Sequence, residues 1–163
     1  MLQKVREDVR RSGFWLYGTR GYGKSHLLAA LVCYLTATGD RVVYIPDCRA
    51  CVEDPILYVR TAMLFAWAND DTTLEKIVAL STMEEIAQFF QSPRLEVIFV
   101  IDQMNGLEVL EKSKTDIRRS YEEVYLWLVR CRVRQKAILS ASANYGPLCL
   151  LCFRTPPTVG KAV

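Results

Sequence analysis

Gly18-Thr-Arg-Gly-Tyr-Gly-Lys24-Ser25 is the stretch around which this chain is organised. An apolar run at residues 14–17 precedes it and a longer apolar segment, residues 27–35, follows it, so the pattern predicts strand, glycine loop and helix. The stretch satisfies G-x-x-x-x-G-K-[ST], in which glycines let backbone N–H groups turn inward around phosphate oxygens at a helix N-terminus. A plain glycine turn before a buried helix is the alternative, and the strand and helix context disfavours it.

The last two residues of the stretch have separate expected roles. Lys24 should reach the β and γ phosphates of a nucleoside triphosphate, and the Ser25 hydroxyl should hold Mg²⁺. The other residues expected at this cofactor site are Gly18, Thr19, Arg20, Gly21, Tyr22, Gly23 and His26. His26 is the only histidine of the chain, and packing is favoured over catalysis as its role.

Length and composition exclude several classes of protein. A chain of 163 residues predicts one domain, and such a domain buries about 68 to 70 % of its unfolded surface. With 51 % hydrophobic and 24 % charged residues, neither disorder nor a fibrous architecture is indicated. The net charge of +3 gives only weak support for a nucleic-acid partner.

Residues 1–12 lack the apolar segment of a signal peptide, and no apolar run is long enough to span a membrane. We therefore expect a soluble, reduced, intracellular chain with no membrane partner.

Six cysteines include two C-x-x-C pairs, Cys48 with Cys51 and Cys149 with Cys152. Paired thiolates can bind zinc, but zinc modules separate their pairs by about 12 to 20 residues, and here a whole nucleotide-domain pattern intervenes. We therefore favour reduced structural thiols over a metal site. Cys33 and Cys131 are expected on buried helix faces.

Strands and helices alternate along the chain. Strands are predicted at residues 14–17, 41–45, 96–101 and 137–142, and helices at 24–37, from Asp54 onwards, at 73–80, 83–91 and 116–130. The helix at 24–37 is apolar nearly all round and should be buried, and Ser81 with Glu84 should form a capping box. The Met and aromatic residues at positions 63, 65, 67, 89 and 90 are expected to pack in the core. This order predicts a doubly wound α/β fold with a mostly parallel sheet.

The chain would be divided into a lead-in helix at 1–12, a nucleotide domain at 13–145 and an atypical or truncated tail at 146–163.

Polar residues follow two of these strands, where ligands bind in such folds. Asp102 ends an apolar strand, as a Walker B carboxylate does, and is expected to orient Mg²⁺. Gln103 would position water, but its amide cannot accept a proton, so hydrolysis should be slow. Ser142 or Asn144 would sense the γ phosphate from the end of the next strand.

Other features leave alternatives open. The absence of an N-K-x-D segment favours ATP over GTP, and a small-molecule kinase would need a lid with converging arginines that we cannot assign. A basic cluster before the last strand could be a solvated helix end, an arginine finger acting in trans or a phosphate-backbone contact. The cluster comprises Arg130, Arg132, Arg134 and Lys136.

Four segments together, GTRGYGKSHLLAAL, DRVVYIPDCRA, EVIFVIDQMNGLE and KAILSASAN, resemble the P-loop NTPase domain of crinkler-type effectors and of the similar retrotransposon hot spot proteins. The resemblance covers residues 13 to about 144, and the more discriminating parts are Asp102-Gln103 followed by Asn105, and Tyr44 to Arg49 after the second strand. It implies a three-layer P-loop NTPase of the additional-strand ATPase class that binds ATP and Mg²⁺. It also implies a module of a larger effector, secreted by a pathogen or symbiont and acting in the host cell, often in its nucleus, and commonly joined to a nuclease-like domain.

The leading hypothesis is thus a slowly hydrolysing ATPase module in which the nucleotide state controls an attached domain, a protein partner or self-association. The second is a non-hydrolysing nucleotide-dependent interaction module. The third is a small-molecule kinase.

Overall fold

A computed structural model of the chain describes residues 14–92, 95–107, 124, 127 and 136–142. The strands are β1 (Phe14–Gly18), β2 (Val42–Ile45), β3 (Ile98–Ile101) and β4 (Lys136–Ser142). The helices are α1 (Lys24–Ala37), α2 (Cys48–Glu53), α3 (Pro55–Ala66), α4 (Asp71–Ala79) and α5 (Met83–Phe90), and a 3-10 turn spans Met104–Leu107. Val124 and Trp127 are helical and buried. The predicted lead-in helix, the C-terminal tail and most of the predicted helix at 116–130 lie outside the described residues.

The strands form one parallel sheet in the order β1-β4-β3-β2. Gly18 is level with Ser142 at the β1–β4 pair, and Ile45 is level with Ile101 at the β2–β3 pair. The carboxyl ends of all four strands therefore lie along one edge of the sheet. The sequence-based prediction of an α/β fold with a parallel sheet is confirmed.

Helices cover both faces of the sheet. Ile98 and Val100 of β3 pack in one cluster with Leu28 and Leu35 of α1. Their neighbours Phe99 and Ile101 point to the other face, into a larger cluster with α3, α4 and α5. Since β3 is buried on both faces, every position in it is apolar, as is usual for a central parallel strand.

The larger cluster is rich in aromatic rings. The rings of Phe90 and Phe99 make an edge-to-face contact with centroids 4.8 Å apart, and Trp67 meets Phe89 in the same way at 5.3 Å. Met63 is also fully buried, so packing is confirmed for these predicted core residues. Phe65 is the exception: its side chain is 79 % exposed.

Local hydrogen bonds explain where the helices begin. Asp54 accepts from the Leu57 N–H at 3.0 Å and Pro55 is the first residue of α3, as the sequence predicts. The capping box of α5 lies one residue later than predicted. Thr82 accepts from the Glu85 N–H, while Glu85 accepts from the N–H groups of both Thr82 and Ser81.

The expectation that α1 is buried nearly all round is wrong. Only Leu28 and Leu35 are buried, whereas Leu27 and Tyr34 are exposed. Cys33 is also exposed, contrary to prediction, because α1 meets the sheet along one side only. None of the helices among the described residues is long and apolar enough to cross a membrane.

Candidate functional site

A cavity of about 370 Å³ opens at the carboxyl edge of the sheet, between the glycine loop and the ends of β2, β3 and β4. Ligands of open α/β sheets bind outside this edge. The residues that line the cavity are Arg20, Gly21, Gly23, Lys24, Ser25, His26, Arg49, Asp102, Gln103, Asn105 and Ser140. The fold thus brings the glycine loop and the Asp102 segment, remote in sequence, to one site.

The loop between β1 and α1 depends on two glycines in a left-handed conformation. Gly21 has φ +88° and Gly23 has φ +74°, values that residues with a Cβ adopt only at a cost. Gly23 also caps α1, and its carbonyl accepts from the Leu27 N–H at 3.0 Å. The backbone path therefore requires Gly23 of the sequence pattern, and also Gly21, which stands at a variable position of that pattern.

Lys24 is held across the base of the loop. Its Nζ donates to the carbonyl oxygens of Gly18 and Thr19, both at 2.8 Å. An ammonium group has three donors, so these two bonds leave one donor for another acceptor. Lys24 is the first residue of α1 and lines the cavity.

Asp102 is the buried acid of the site, with 2 % of its surface exposed. Its N–H donates to the Ile45 carbonyl at 2.8 Å, which holds the residue level with the end of β2. Oδ1 accepts from the Gln103 N–H at 2.7 Å, but Oδ2 is buried and has no hydrogen-bond partner among the described residues. A buried polar atom without a partner costs about 1 to 3 kcal/mol, so Asp102 Oδ2 is an unmet acceptor at the cavity.

Gln103 occupies an uncommon backbone conformation, with φ +55°. Such conformations in residues other than glycine cluster at functional sites, where the surrounding structure holds them. The side chain lines the cavity, and its Nε2 lies 3.4 Å from the Pro46 carbonyl, a weak contact. Gln103 and Asp102 therefore both line the cavity.

Ser140 of β4 is a site residue that sequence reasoning missed. It is fully buried, lines the cavity, and its Oγ has no hydrogen-bond partner among the described residues. The predicted residue Ser142 ends β4, but its side chain lies outside the described part of the chain, as does Asn144. Ser140 carries the same kind of signal, a polar residue in an apolar strand, two positions earlier.

Arg49 also lines the cavity and was not predicted as a site residue. It belongs to α2, a six-residue helix capped by Asp47, whose side chain accepts from the Arg49 N–H at 2.8 Å. A Cβ at Gly106 would lie 2.8 Å from Arg49 Cγ, so a glycine there leaves room for the arginine. Cys48 Sγ donates to the Asp102 carbonyl at 3.1 Å, which fixes α2 against the Asp102 segment.

The cavity favours an anion. Arg20, Lys24 and Arg49 line it, and Asp102 is the one carboxylate among its described lining residues. Three of the predicted loop residues do not line the cavity: Tyr22 is 83 % exposed, and Gly18 and Thr19 contribute their carbonyls to Lys24. The packing role favoured for His26 is wrong, because its side chain is exposed and lines the cavity.

The first C-x-x-C pair is buried and free of disulfides. Burial, with a smaller contribution from the charge of Asp47, raises the pKa of Cys51 to about 12, so this thiol is protonated near neutral pH. Within the described ranges no three His, Cys, Asp or Glu side chains are grouped as metal ligands. Cys149 and Cys152 lie outside those ranges.

Compared with protein-family models and with curated proteins, the sequence matches none.

Proposed function

We propose that this chain is an ATP-binding P-loop NTPase module that uses Mg²⁺ and hydrolyses ATP slowly. One observation carries the proposal: the glycine loop shares a cavity with two buried oxygen atoms, Asp102 Oδ2 and Ser140 Oγ, that have no hydrogen-bond partner among the described residues. Buried polar groups in native proteins are nearly always satisfied, and the exceptions require an explanation such as a bound ion or ligand.

The loop supplies the expected contacts to phosphate. Gly21 and Gly23 hold the left-handed turns that let backbone N–H groups surround an anion ahead of α1. Lys24 would exchange its bonds with the Gly18 and Thr19 carbonyls for bonds to the β and γ phosphates. Arg20 and Arg49, which line the same cavity, would add further cations.

The oxygen donors at the cavity fit Mg²⁺. Asp102 has a buried carboxylate oxygen without a hydrogen-bond partner in the described part of the chain, and Ser25 lines the same cavity. Mg²⁺ prefers oxygen ligands and usually keeps several waters, so a carboxylate, a hydroxyl and phosphate oxygens form a suitable set. When bound, the ion neutralises charge on the phosphate oxygens. Ser140 would donate its hydroxyl hydrogen to a phosphate oxygen or to an ordered water.

The strand order supports the additional-strand class. β4 lies between β1, which leads into the loop, and β3, which ends at Asp102. An extra strand between these two is the feature after which that class is named. The resemblance to crinkler-type effectors and retrotransposon hot spot proteins belongs to the same proposal, as do a role inside a host cell and control of an attached domain or partner.

We expect slow hydrolysis of ATP because few of the described acidic side chains line the cavity. Asp102 is the one carboxylate among the described residues that line the cavity, and its expected task is to orient the ion. Gln103 can orient a water molecule but cannot take its proton. The same observation favours a second candidate, a module that binds ATP without hydrolysing it.

Nucleotide binding and phosphate release, measured on the purified chain, test both candidates. We expect calorimetry to show Mg²⁺-dependent ATP binding that Lys24→Ala abolishes and that Lys76→Ala, a change on the exposed part of α4, leaves intact. Wild-type protein without nucleotide affinity, or with affinity unchanged by Lys24→Ala, would refute the proposal. Equal phosphate release by wild type and Lys24→Ala would refute hydrolysis and leave the second candidate.

A further inference from the structure

A second and larger cavity, of about 980 Å³, is lined by residues of α1, β2, α2 and α3. It is a groove with β2 as its floor and with α1 and α3 as its walls. Apolar and aromatic side chains dominate the lining, among them Val32, Val42, Tyr44, Leu57, Tyr58 and Phe65. We refer to it as the β2 groove.

The floor of the β2 groove is the edge of the described sheet. β2 pairs with β3 only, and the Arg41 and Ile45 carbonyls accept from the N–H groups of Ile98 and Asp102. Because successive residues of a strand direct their backbone groups to alternate sides, Val42 and Tyr44 direct theirs away from β3 and toward the groove. These backbone groups have no hydrogen-bond partner among the described residues. An edge of this kind can pair with a further strand.

The rim of the groove is apolar and acidic. Leu57 and Phe65 of α3 are 53 % and 79 % exposed, although both are large apolar residues. Four carboxylate side chains also belong to this rim: Asp40, Glu53, Asp54 and Asp70. Among the described residues that line the groove, Arg41 is the one basic residue, and its guanidinium lies over the Trp67 ring at 4.8 Å. The groove therefore has a negative balance of charge.

We propose that the β2 groove docks an extended segment of a partner protein, in which apolar and basic residues alternate, as an added strand beside β2. Main-chain hydrogen bonds to Val42 and Tyr44 would hold the segment, its apolar side chains would contact the groove lining, and its basic side chains would meet the rim carboxylates. A docked helix would leave the backbone groups of β2 unsatisfied. A second copy of this chain, placed edge to edge, would bring two acidic rims together.

A labelled synthetic peptide tests this docking directly. The probe is a fluorescein-labelled ten-residue peptide of alternating valine and lysine, titrated with the purified chain while fluorescence anisotropy is recorded. We expect saturable binding, no binding of the matched valine–glutamate peptide, and loss of binding when the valine–lysine peptide is N-methylated along one edge. The last control removes main-chain donors and leaves the side chains unchanged.

Variants of the protein locate the binding surface. Glu53→Lys should weaken peptide binding about tenfold, whereas the matched charge reversal Glu75→Lys, on α4 outside the groove, should have no effect. Both side chains are exposed, so both variants should fold. Failure of the valine–lysine peptide to bind, or binding insensitive to N-methylation, would overturn the proposal. So would a concentration-dependent dimer in sedimentation that Glu53→Lys strengthens, since a second copy would then occupy the groove.

Discussion

Replacing Gly106 by alanine should weaken ATP binding by displacing the Arg49 side chain. The new Cβ would lie 2.8 Å from Arg49 Cγ, 3.2 Å from the Arg49 backbone nitrogen and 3.5 Å from Cys48 Cβ. The backbone of α2 cannot easily retreat, because Asp47 accepts from the Arg49 N–H and Cys48 donates to the Asp102 carbonyl. The long arginine side chain must give way instead and leave its place in the cavity wall.

The expected effects on stability and binding differ in size. Overpacking that a flexible side chain relieves costs about 1 kcal/mol of unfolding free energy, the low end of its usual range. Loss of a charge-assisted hydrogen bond to the terminal phosphate costs about 1.5 to 3 kcal/mol, which weakens ATP binding roughly 10- to 150-fold. ADP, which lacks that phosphate, should bind Gly106→Ala nearly as well as it binds wild type.

Urea unfolding and calorimetric titration with ATP and ADP measure both effects. The comparison needs Gly106→Ala, Arg49→Ala and the double variant. The double variant should bind ATP no more weakly than Arg49→Ala, since the glycine acts only through the arginine. Additive losses, or normal ATP binding by Gly106→Ala beside weak binding by Arg49→Ala, would refute this reasoning.

Three further changes give distinct outcomes. Ser140→Ala should raise the unfolding free energy of the nucleotide-free protein by about 1 kcal/mol, because it removes a buried hydroxyl that has no hydrogen-bond partner among the described residues. The same change should lower the affinity for ATP. A loss of stability in urea would contradict the assignment of Ser140 as an unpartnered residue of the nucleotide site. Burial, and to a smaller extent the charge of Asp47, raises the pKa of Cys51 from 9.0 to about 12. The folded state therefore favours the protonated thiol, and this contribution to the unfolding free energy is complete below pH 9. It declines between pH 9 and pH 12, by up to about 4 kcal/mol. Cys51→Ala should remove this component, and equal losses in both proteins between pH 8 and 10.5 would show that another group is responsible. Thr82→Ala should cost about 1 kcal/mol, and a larger effect of Ser81→Ala would place the capping box back at the position that the sequence predicted.

The sequence predicts those parts of the fold whose signals are local. β3 is a continuous apolar run, and α1 begins directly after the glycine loop, so both were located to within a few residues. Asp102 was identified because it ends that run. Gly23 belongs to the G-x-x-x-x-G-K-[ST] pattern, whereas Gly21 stands at one of its variable positions, so its left-handed conformation is not specified by the pattern.

Signals that depend on distant residues were missed. Arg49 reaches the cavity only because Gly106 leaves room for it, and the two lie far apart in the chain. α2, at six residues, is too short to show a helical period. Ser140 and Ser142 have the same parity along β4, so periodicity does not distinguish them, and only burial and the missing hydrogen bond identify Ser140. Exposure of α1 was also misjudged, since composition does not show which side of a helix meets the sheet.

The strand order has a consequence for how the chain folds. β1 pairs only with β4 among the described strands, and Phe14 is level with Ile138, which is far from it in the sequence. During synthesis the glycine loop emerges before β4, so it lacks its neighbouring strand until β4 has been made. Parallel strand pairs with such a long sequence separation form slowly, because the entropy of loop closure is lost before the stabilising contacts between the strands are made. We therefore expect fragments that end before β4 to leave β1 without a partner, so that the loop is organised only in the last step of folding.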